Sequence, residues 1–179
     1  MRYNLADLHI HSFCSDGVRT PRQAVEEADA AGLQALSLTD HDTVAGIDEA
    51  KRAAAELKIE VVPGAELSAH IGEREVHILA YCFEWKDPRL LEHVGELHQK
   101  RYERGVAIVE RLNHLGIEVK LDEVLDTADG SPLGRPHIAA TMVDHGVVTS
   151  KEEAFDRFWE TVVRLSYRNL TSPPAASSS

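Results

Sequence analysis

Apolar and polar residues alternate between two periods along the first 84 residues. Tyr3 to Ile10 has the apolar, β-tolerant content of a buried strand. Thr20-Pro21 then reads as a helix start, with a hydroxyl cap and proline at the first helical position. Ala24, Val25, Ala28, Ala31 and Leu33 recur at helical spacing, and Gly32 supplies the stop. Leu36-Ser37-Leu38-Thr39 is a short buried strand. A second, alanine-rich helix runs from about Val44 to Leu57, and Ile59 to Val62 is a third strand ending in Pro63-Gly64-Ala65-Glu66. Strand, helix, strand, helix, strand implies an α/β fold with a parallel sheet or barrel. Leu67 to Ile71 and Glu75 to Phe83 then form a hairpin around Gly72-Glu73-Arg74.

From Asp87 the period becomes helical throughout. Pro88 to Leu115 is a long helix whose apolar side is Leu90, Leu91, Val94, Leu97, Val106, Val109 and Leu112. Gly95 and Gly105 are expected to break or bend it, and Gly116 to cap it. Leu121 to Thr127, Ile138 to Asp144 and Lys151 to Glu160 read as further helices. Val162 to Leu170 carries no distinctive pattern, and the Ser/Pro/Ala tail Thr171 to Ser179 is expected to be disordered. The division expected is 1–84 for the α/β part, 85–162 for the helical part and 163–179 for the tail.

Composition narrows the function classes. The 179 residues are 43% hydrophobic and 27% charged, as in a soluble globular domain with a real core. A net charge of −11 argues against stable binding of a nucleic-acid duplex, which needs basic patches. It leaves room for a phosphorylated substrate, because bound metal ions reverse local charge. Two cysteines, Cys14 and Cys82, fit a reducing compartment rather than a disulfide scaffold. No run approaches a membrane span and no signal-peptide pattern opens the chain, so the expected location is the cytoplasm.

The candidate chemistry lies at strand ends. Residues two apart on a strand share a face, so His9 and His11 aim two imidazoles at one point, and Asp16 follows in a turn closed by Gly17. Alone, such a pair is equally two ordinary histidines on an edge strand. The second strand, however, ends in Asp40-His41-Asp42 and the third in Pro63-Gly64-x-Glu66. In parallel α/β folds the carboxyl ends of the strands carry the chemistry, so ligand-type side chains converge on one edge, as a divalent metal site requires. His77 is the polar residue of an otherwise apolar strand, downstream of Glu66, and is read as a further ligand. His70, near the hairpin turn, is read as solvated, and His93, His98, His114 and His145 as structural or exposed. In Gly134-Arg135-Pro136-His137 a helix start, a guanidinium and an imidazole make a compact anion-binding corner, with Ser131 just ahead as a possible hydroxyl donor. On the tetrapeptide alone a plain capped turn is the simpler reading.

In order along the chain, His9-x-His11, Ser15-Asp16-Gly17, Thr39-Asp40-His41-Asp42, Pro63-Gly64-x-Glu66 and Val76-His77-Ile78-Leu79 resemble the motifs of PHP-domain (polymerase and histidinol phosphatase) metallophosphoesterases. The likeness is greatest to the nucleoside-bisphosphate and nucleotide phosphatase branch. It implies a distorted (β/α)7 barrel with a helical insertion over the site, and two or three divalent ions. By position, His9 and His11 would hold one ion and Asp16 and His41 a second; Glu66 would bridge and His77 would serve a third. Manganese is the first choice, with iron or zinc possible; magnesium suits so many imidazoles less. Arg135 and His137 would contact the substrate phosphate. The ions would lower the pKa of a bound water and aim it in line at phosphorus, with Asp42 or a metal-bound water protonating the leaving oxygen. The implied substrate is a small phosphorylated nucleotide. Family members continue with a His-Pro turn and an Asp-x-His pair, for which nothing after His77 is a counterpart. The barrel is therefore expected to be incomplete. The alternative function is a weakly active or inactive metal-binding fragment, or a half-site that needs a partner chain. The sequence carries no signature of oligomeric state.

Overall fold

The computed structural model of the chain describes residues 5–72 and 74–159. The strands are β1 (Ala6–Ile10), β2 (Ala35–Leu38), β3 (Glu60–Val61), β4 (Gly64–Ile71) and β5 (Arg74–Tyr81). The helices are α1 (Pro21–Ala30), α2 (Ile47–Leu57), α3 (Pro88–His114), α4 (Leu121–Ala128), α5 (Arg135–Asp144) and α6 (Lys151–Ala154), followed by a π-helical turn at Phe155–Trp159. The expected segments 163–170 and 171–179 lie outside the described residues.

β1, β2 and β3 form a parallel sheet in that order, with Ala6 opposite Ala35 and Ala35 opposite Glu60. β4 and β5 form an antiparallel pair, running from Gly64 opposite Tyr81 to Ile71 opposite Arg74. The fold is thus the mixed α/β arrangement expected, and among the described residues the strands do not close into a barrel. The described residues fall into two compact units: those up to Tyr102 together with Ala128–Gly134, and Glu103–Thr127 together with those from Arg135 on.

The first unit holds its α/β core between the parallel sheet and the first two helices. Thr20 and Gln23 cap α1 reciprocally, each side chain accepting the other's backbone N–H, with Pro21 at the first helical position. Gly32, at φ +80°, lets Leu33 N–H return to the Ala28 carbonyl, which ends the helix. Val25 and Ala28 of α1 and Ala50, Ala53 and Ala54 of α2 pack with Leu36 and Leu38 of β2. Alanines on the inner side of α2 bring its backbone close to the sheet.

Four sequence expectations are corrected. β1 is exposed over Ala6 to His9 rather than buried, because among the described residues it pairs only with β2 and lies at the edge of the sheet. Glu66 does not end the third strand: β3 stops before Pro63, and Glu66 is the third residue of β4. α3 runs unbroken through Gly95 and Gly105, since one glycine costs a helix interior only about 1 kcal/mol. α5 begins at Arg135 rather than Ile138, so Pro136 sits in its first turn, where its missing N–H costs no helical bond.

Gly64 is where the chain turns from β3 into β4. A Cβ there would lie 2.1 Å from Ser37 Oγ and 3.0 Å from the Leu38 carbonyl oxygen. Gly64→Ala should therefore destabilise the chain by about 1–3 kcal/mol, read as a lower urea midpoint. Adding Ser37→Ala, which removes the buried Oγ, should restore part of the loss; no shift for the single variant would show that β4 can move away freely.

Candidate metal centre

Two strand ends and one hairpin supply the six ligand-type residues. His9 is the penultimate residue of β1 and His11 follows its end. The chain then turns tightly, with Ser15 and Gly17 both donating their N–H to the Ser12 carbonyl at 3.0 Å. Gly17 is required there: a Cβ would fall 2.3 Å from the His11 carbonyl oxygen. Beyond β2, residues 40–42 bond to β4 through their backbone. Glu66 N–H donates to the Asp40 carbonyl (3.2 Å), and Asp42 N–H donates to the Glu66 carbonyl (2.9 Å). His41 and Glu66 thus pair in parallel. In β5, His77 sits opposite Ser68, two residues beyond Glu66.

These six side chains meet in three overlapping clusters: His9, His11 and Glu66; His11, Asp16 and His41; and His41, Glu66 and His77. Glu66 is buried between them. Its Oε2 lies 2.9 Å from His9 Nε2 and 3.2 Å from His11 Nε2, and its Oε1 lies 2.7 Å from His77 Nδ1. The imidazoles of His9, His11, His41 and His77 form a file with successive centroids 5.1, 4.6 and 4.7 Å apart. Glu66, expected to bridge, lies in two of the clusters, and so do His11 and His41, each of which was expected to serve one ion.

The chemistry of the donor set fits divalent ions. His11 Nδ1 and His41 Nδ1 are buried and have no hydrogen-bond partner, although buried polar nitrogens normally do. Each faces a carboxylate beyond hydrogen-bond reach: His11 Nδ1 is 3.6 Å from Asp16 Oδ1, and His41 Nδ1 is 3.8 Å from Glu66 Oε2. His9 Nε2 and His11 Nε2 approach to 3.2 Å, a contact that two neutral acceptor nitrogens would not favour without a proton or a cation between them. Burial pushes His41 down to about 4, outweighing the pull of Asp16 and Glu66. Burial also raises Glu66, but the His9 hydrogen bond and the nearby His41 and His77 hold its carboxyl below the usual range. At neutral pH the cluster therefore offers a neutral His41 nitrogen and an ionised Glu66, the protonation states a metal ion needs.

Asp42 stands apart from the clusters. It is fully buried, in a left-handed backbone conformation (φ 51°). Oδ1 accepts the Ser68 N–H at 2.7 Å; Oδ2 accepts the Ser68 hydroxyl at 2.7 Å and the Nε–H of Arg101. Burial raises its pKa, but the Arg101 guanidinium and Ser68 overcome this and hold it below the ordinary value. Arg101 was not foreseen from the sequence, although it left a signal. It falls four residues after Leu97 on the apolar side of α3, where an arginine needs a buried partner. Asp40 is also buried, accepting from Ser12 and Ser15.

Arg135 and His137 belong to the second unit, in the first turn of α5, with Arg135 half-buried and His137 buried. Ser131 donates to the Ala128 carbonyl at 2.6 Å. His70, His93, His98, His114 and His145 are all exposed, as expected.

Residues 7–126 match the PHP domain model, and the chain belongs to the PHP-domain family. It is 39% identical over 152 residues to a 5'-3' exoribonuclease of Haemophilus influenzae, covering 85% of this chain and 55% of that protein. It is 33% identical over 153 residues to a 3',5'-nucleoside bisphosphate phosphatase of Chromobacterium violaceum, covering 85% and 54%. Among solved structures it resembles a candidate metal-dependent phosphoesterase from Bifidobacterium adolescentis, at 34% identity and TM-score 0.78, covering 85% and 54%. The chain thus spans about half the length of the relatives it matches. Among the described residues no helix is long and apolar enough to cross a membrane.

The state of His41 is open to direct measurement. In metal-free protein its imidazole resonance should titrate near pH 4. An unfolded histidine takes its proton near 6.5, so between these values the unfolded chain binds more protons. Stability from this group is full above about pH 6.5 and falls as the pH drops toward 4. A midpoint near 6.5 in the folded protein would show His41 to be open to water.

Proposed function

We infer that the chain carries the metal-binding part of a phosphoesterase that hydrolyses phosphate monoesters of small nucleotides. The observation that carries this reading is the set of three overlapping clusters, with two buried imidazole nitrogens that have no hydrogen-bond partner. His9, His11 and Glu66 would hold one ion, His11, Asp16 and His41 a second, and His41, Glu66 and His77 a third. Four imidazoles and two carboxylates suit manganese first, then iron or zinc. When bound, such ions would supply Lewis-acid charge to the phosphate and lower the pKa of the attacking water.

The chain's own residues divide the remaining work. Glu66 supplies negative charge that a group of cations needs close by. Arg135 and His137, at the start of α5, would offer a guanidinium, an imidazole and the helix N-terminus to the substrate phosphate. Asp42 was the other expected proton donor. With both oxygens engaged and no exposure, it is assigned to hold structure, and water is left to protonate the leaving oxygen. The nucleotide class is supported by the names of two relatives, one acting on nucleoside bisphosphates and one on RNA. The acidic balance favours a small substrate over a long strand. Free Cys14 and Cys82 support a cytoplasmic location. A second reading is favoured by the half-length match and by the edge that β1 leaves unpaired among the described residues: a metal-binding piece that works only with further polypeptide.

Replacing His9 and His11 together with alanine should remove most bound manganese in elemental analysis, and unchanged content would contradict the site. Arg135→Ala should slow phosphate release from a nucleoside 3',5'-bisphosphate by about 10- to 100-fold, as for the loss of a hydrogen bond to a charged group, with bound metal unaltered. Loss of metal alongside would make Arg135 a structural residue.

A further inference from the structure

The run Asp40-His41-Asp42 sets one imidazole of the centre between two carboxylates that belong to none of the three clusters. Each is buried, and each grips a different ligand-bearing segment. Asp40 Oδ1 accepts the Ser12 N–H (2.6 Å) and the Ser15 hydroxyl (2.7 Å), and Oδ2 accepts the Ser12 hydroxyl (2.6 Å). Ser12 and Ser15 bound the turn that delivers Asp16, and Ser12 Oγ also accepts the Cys14 N–H at 3.1 Å. The turn is therefore wound around the Asp40 carboxylate. Asp42 does the equivalent on the other side. It holds Ser68 by both N–H and hydroxyl, and Arg101 closes the knot by donating to Asp42 and, from Nη2, to Ser68 Oγ at 3.0 Å. Ser68 lies two residues past Glu66 and pairs with His77.

We propose that Asp40 and Asp42 are positioning residues with separate duties: Asp40 sets Asp16 against His11 and His41, and Asp42 with Arg101 sets Glu66 and His77 against His41. The proposal rests on the metal reading of those ligands. Carboxylates suit the task because each oxygen accepts from more than one donor. Metal ligands need such outer support, since an ion's affinity depends on donor atoms fixed within a few tenths of an ångström. Three consecutive residues thus align the two clusters that share His41.

The test is a double-mutant cycle on the full chain with manganese alone as the probe, reading the affinity of each bound ion by titration. Asp40→Ala should weaken one ion by about 10- to 100-fold, and should add nothing once Asp16→Ala is present. Asp42→Ala should behave in the same way against His77→Ala. The crossed pairs, Asp40→Ala with His77→Ala and Asp42→Ala with Asp16→Ala, should be additive. Equal losses in every background would mean general loosening and would overturn the proposal. If an aspartate variant does not fold, Ser12→Ala replaces Asp40→Ala and Ser68→Ala replaces Asp42→Ala, with the same expected coupling and the same overturning result. A wild-type chain that binds no manganese overturns the metal reading and this proposal with it. A wild type that binds it while the aspartate variants bind equally well overturns this proposal alone.

Discussion

One short backbone pairing, residues 40–42 against the start of β4, is what the centre depends on. Its two hydrogen bonds, Glu66 N–H to the Asp40 carbonyl and Asp42 N–H to the Glu66 carbonyl, extend the reach of the parallel sheet past the end of β2. They bring a carboxylate from the hairpin among imidazoles from β1, from the segment after β2 and from β5. Without them Glu66 would belong to the hairpin alone. The pairing itself needs Gly64, because any side chain there collides with Ser37 and Leu38. Backbone geometry therefore sets the ligands before any side-chain chemistry operates.

The electrostatics of the centre are poorly balanced for a protein with no cation in it. Four imidazoles in a file around a buried carboxylate leave two ring nitrogens without hydrogen-bond partners, and burial disfavours the positive charge that His41 would otherwise take on. A bound ion would give such nitrogens a partner, and its binding would then be coupled to local order. The aspartates that flank His41 spend their charge differently. Asp42 is neutralised by Arg101 and Asp40 is solvated by serine donors, so neither competes with Glu66 for the histidines.

Much of this was legible in the sequence where it depended on local periodicity. The i, i+2 spacing of His9 and His11 at the end of β1 and the capped start of α1 are short-range patterns, and the structure reproduces them. Glu66 was read as a ligand but misplaced by one element, because Pro63-Gly64 marks a strand end equally well whether the next residues are loop or strand. The burial of β1 was misread because apolar content does not tell an edge strand from a central one. Asp42 is one of two candidate proton donors on sequence grounds, and the partners that engage both its oxygens are not visible there. Its partner Arg101 is 59 residues away, and only the packing of α3 reveals the pair. The sharing of His11 and His41 between clusters is likewise a property of three dimensions.

The claim that matters most is that these six side chains hold metal ions rather than merely hydrogen-bond to one another. Anomalous scattering from a crystal of the chain grown with manganese, recorded on either side of the manganese absorption edge, addresses it most directly. The account predicts edge-dependent peaks inside the clusters, with at least one within coordination distance of Glu66 and of an imidazole. Absence of any such peak between His9, His11, Asp16, His41, Glu66 and His77, with the imidazoles still hydrogen-bonded to Glu66, would contradict it.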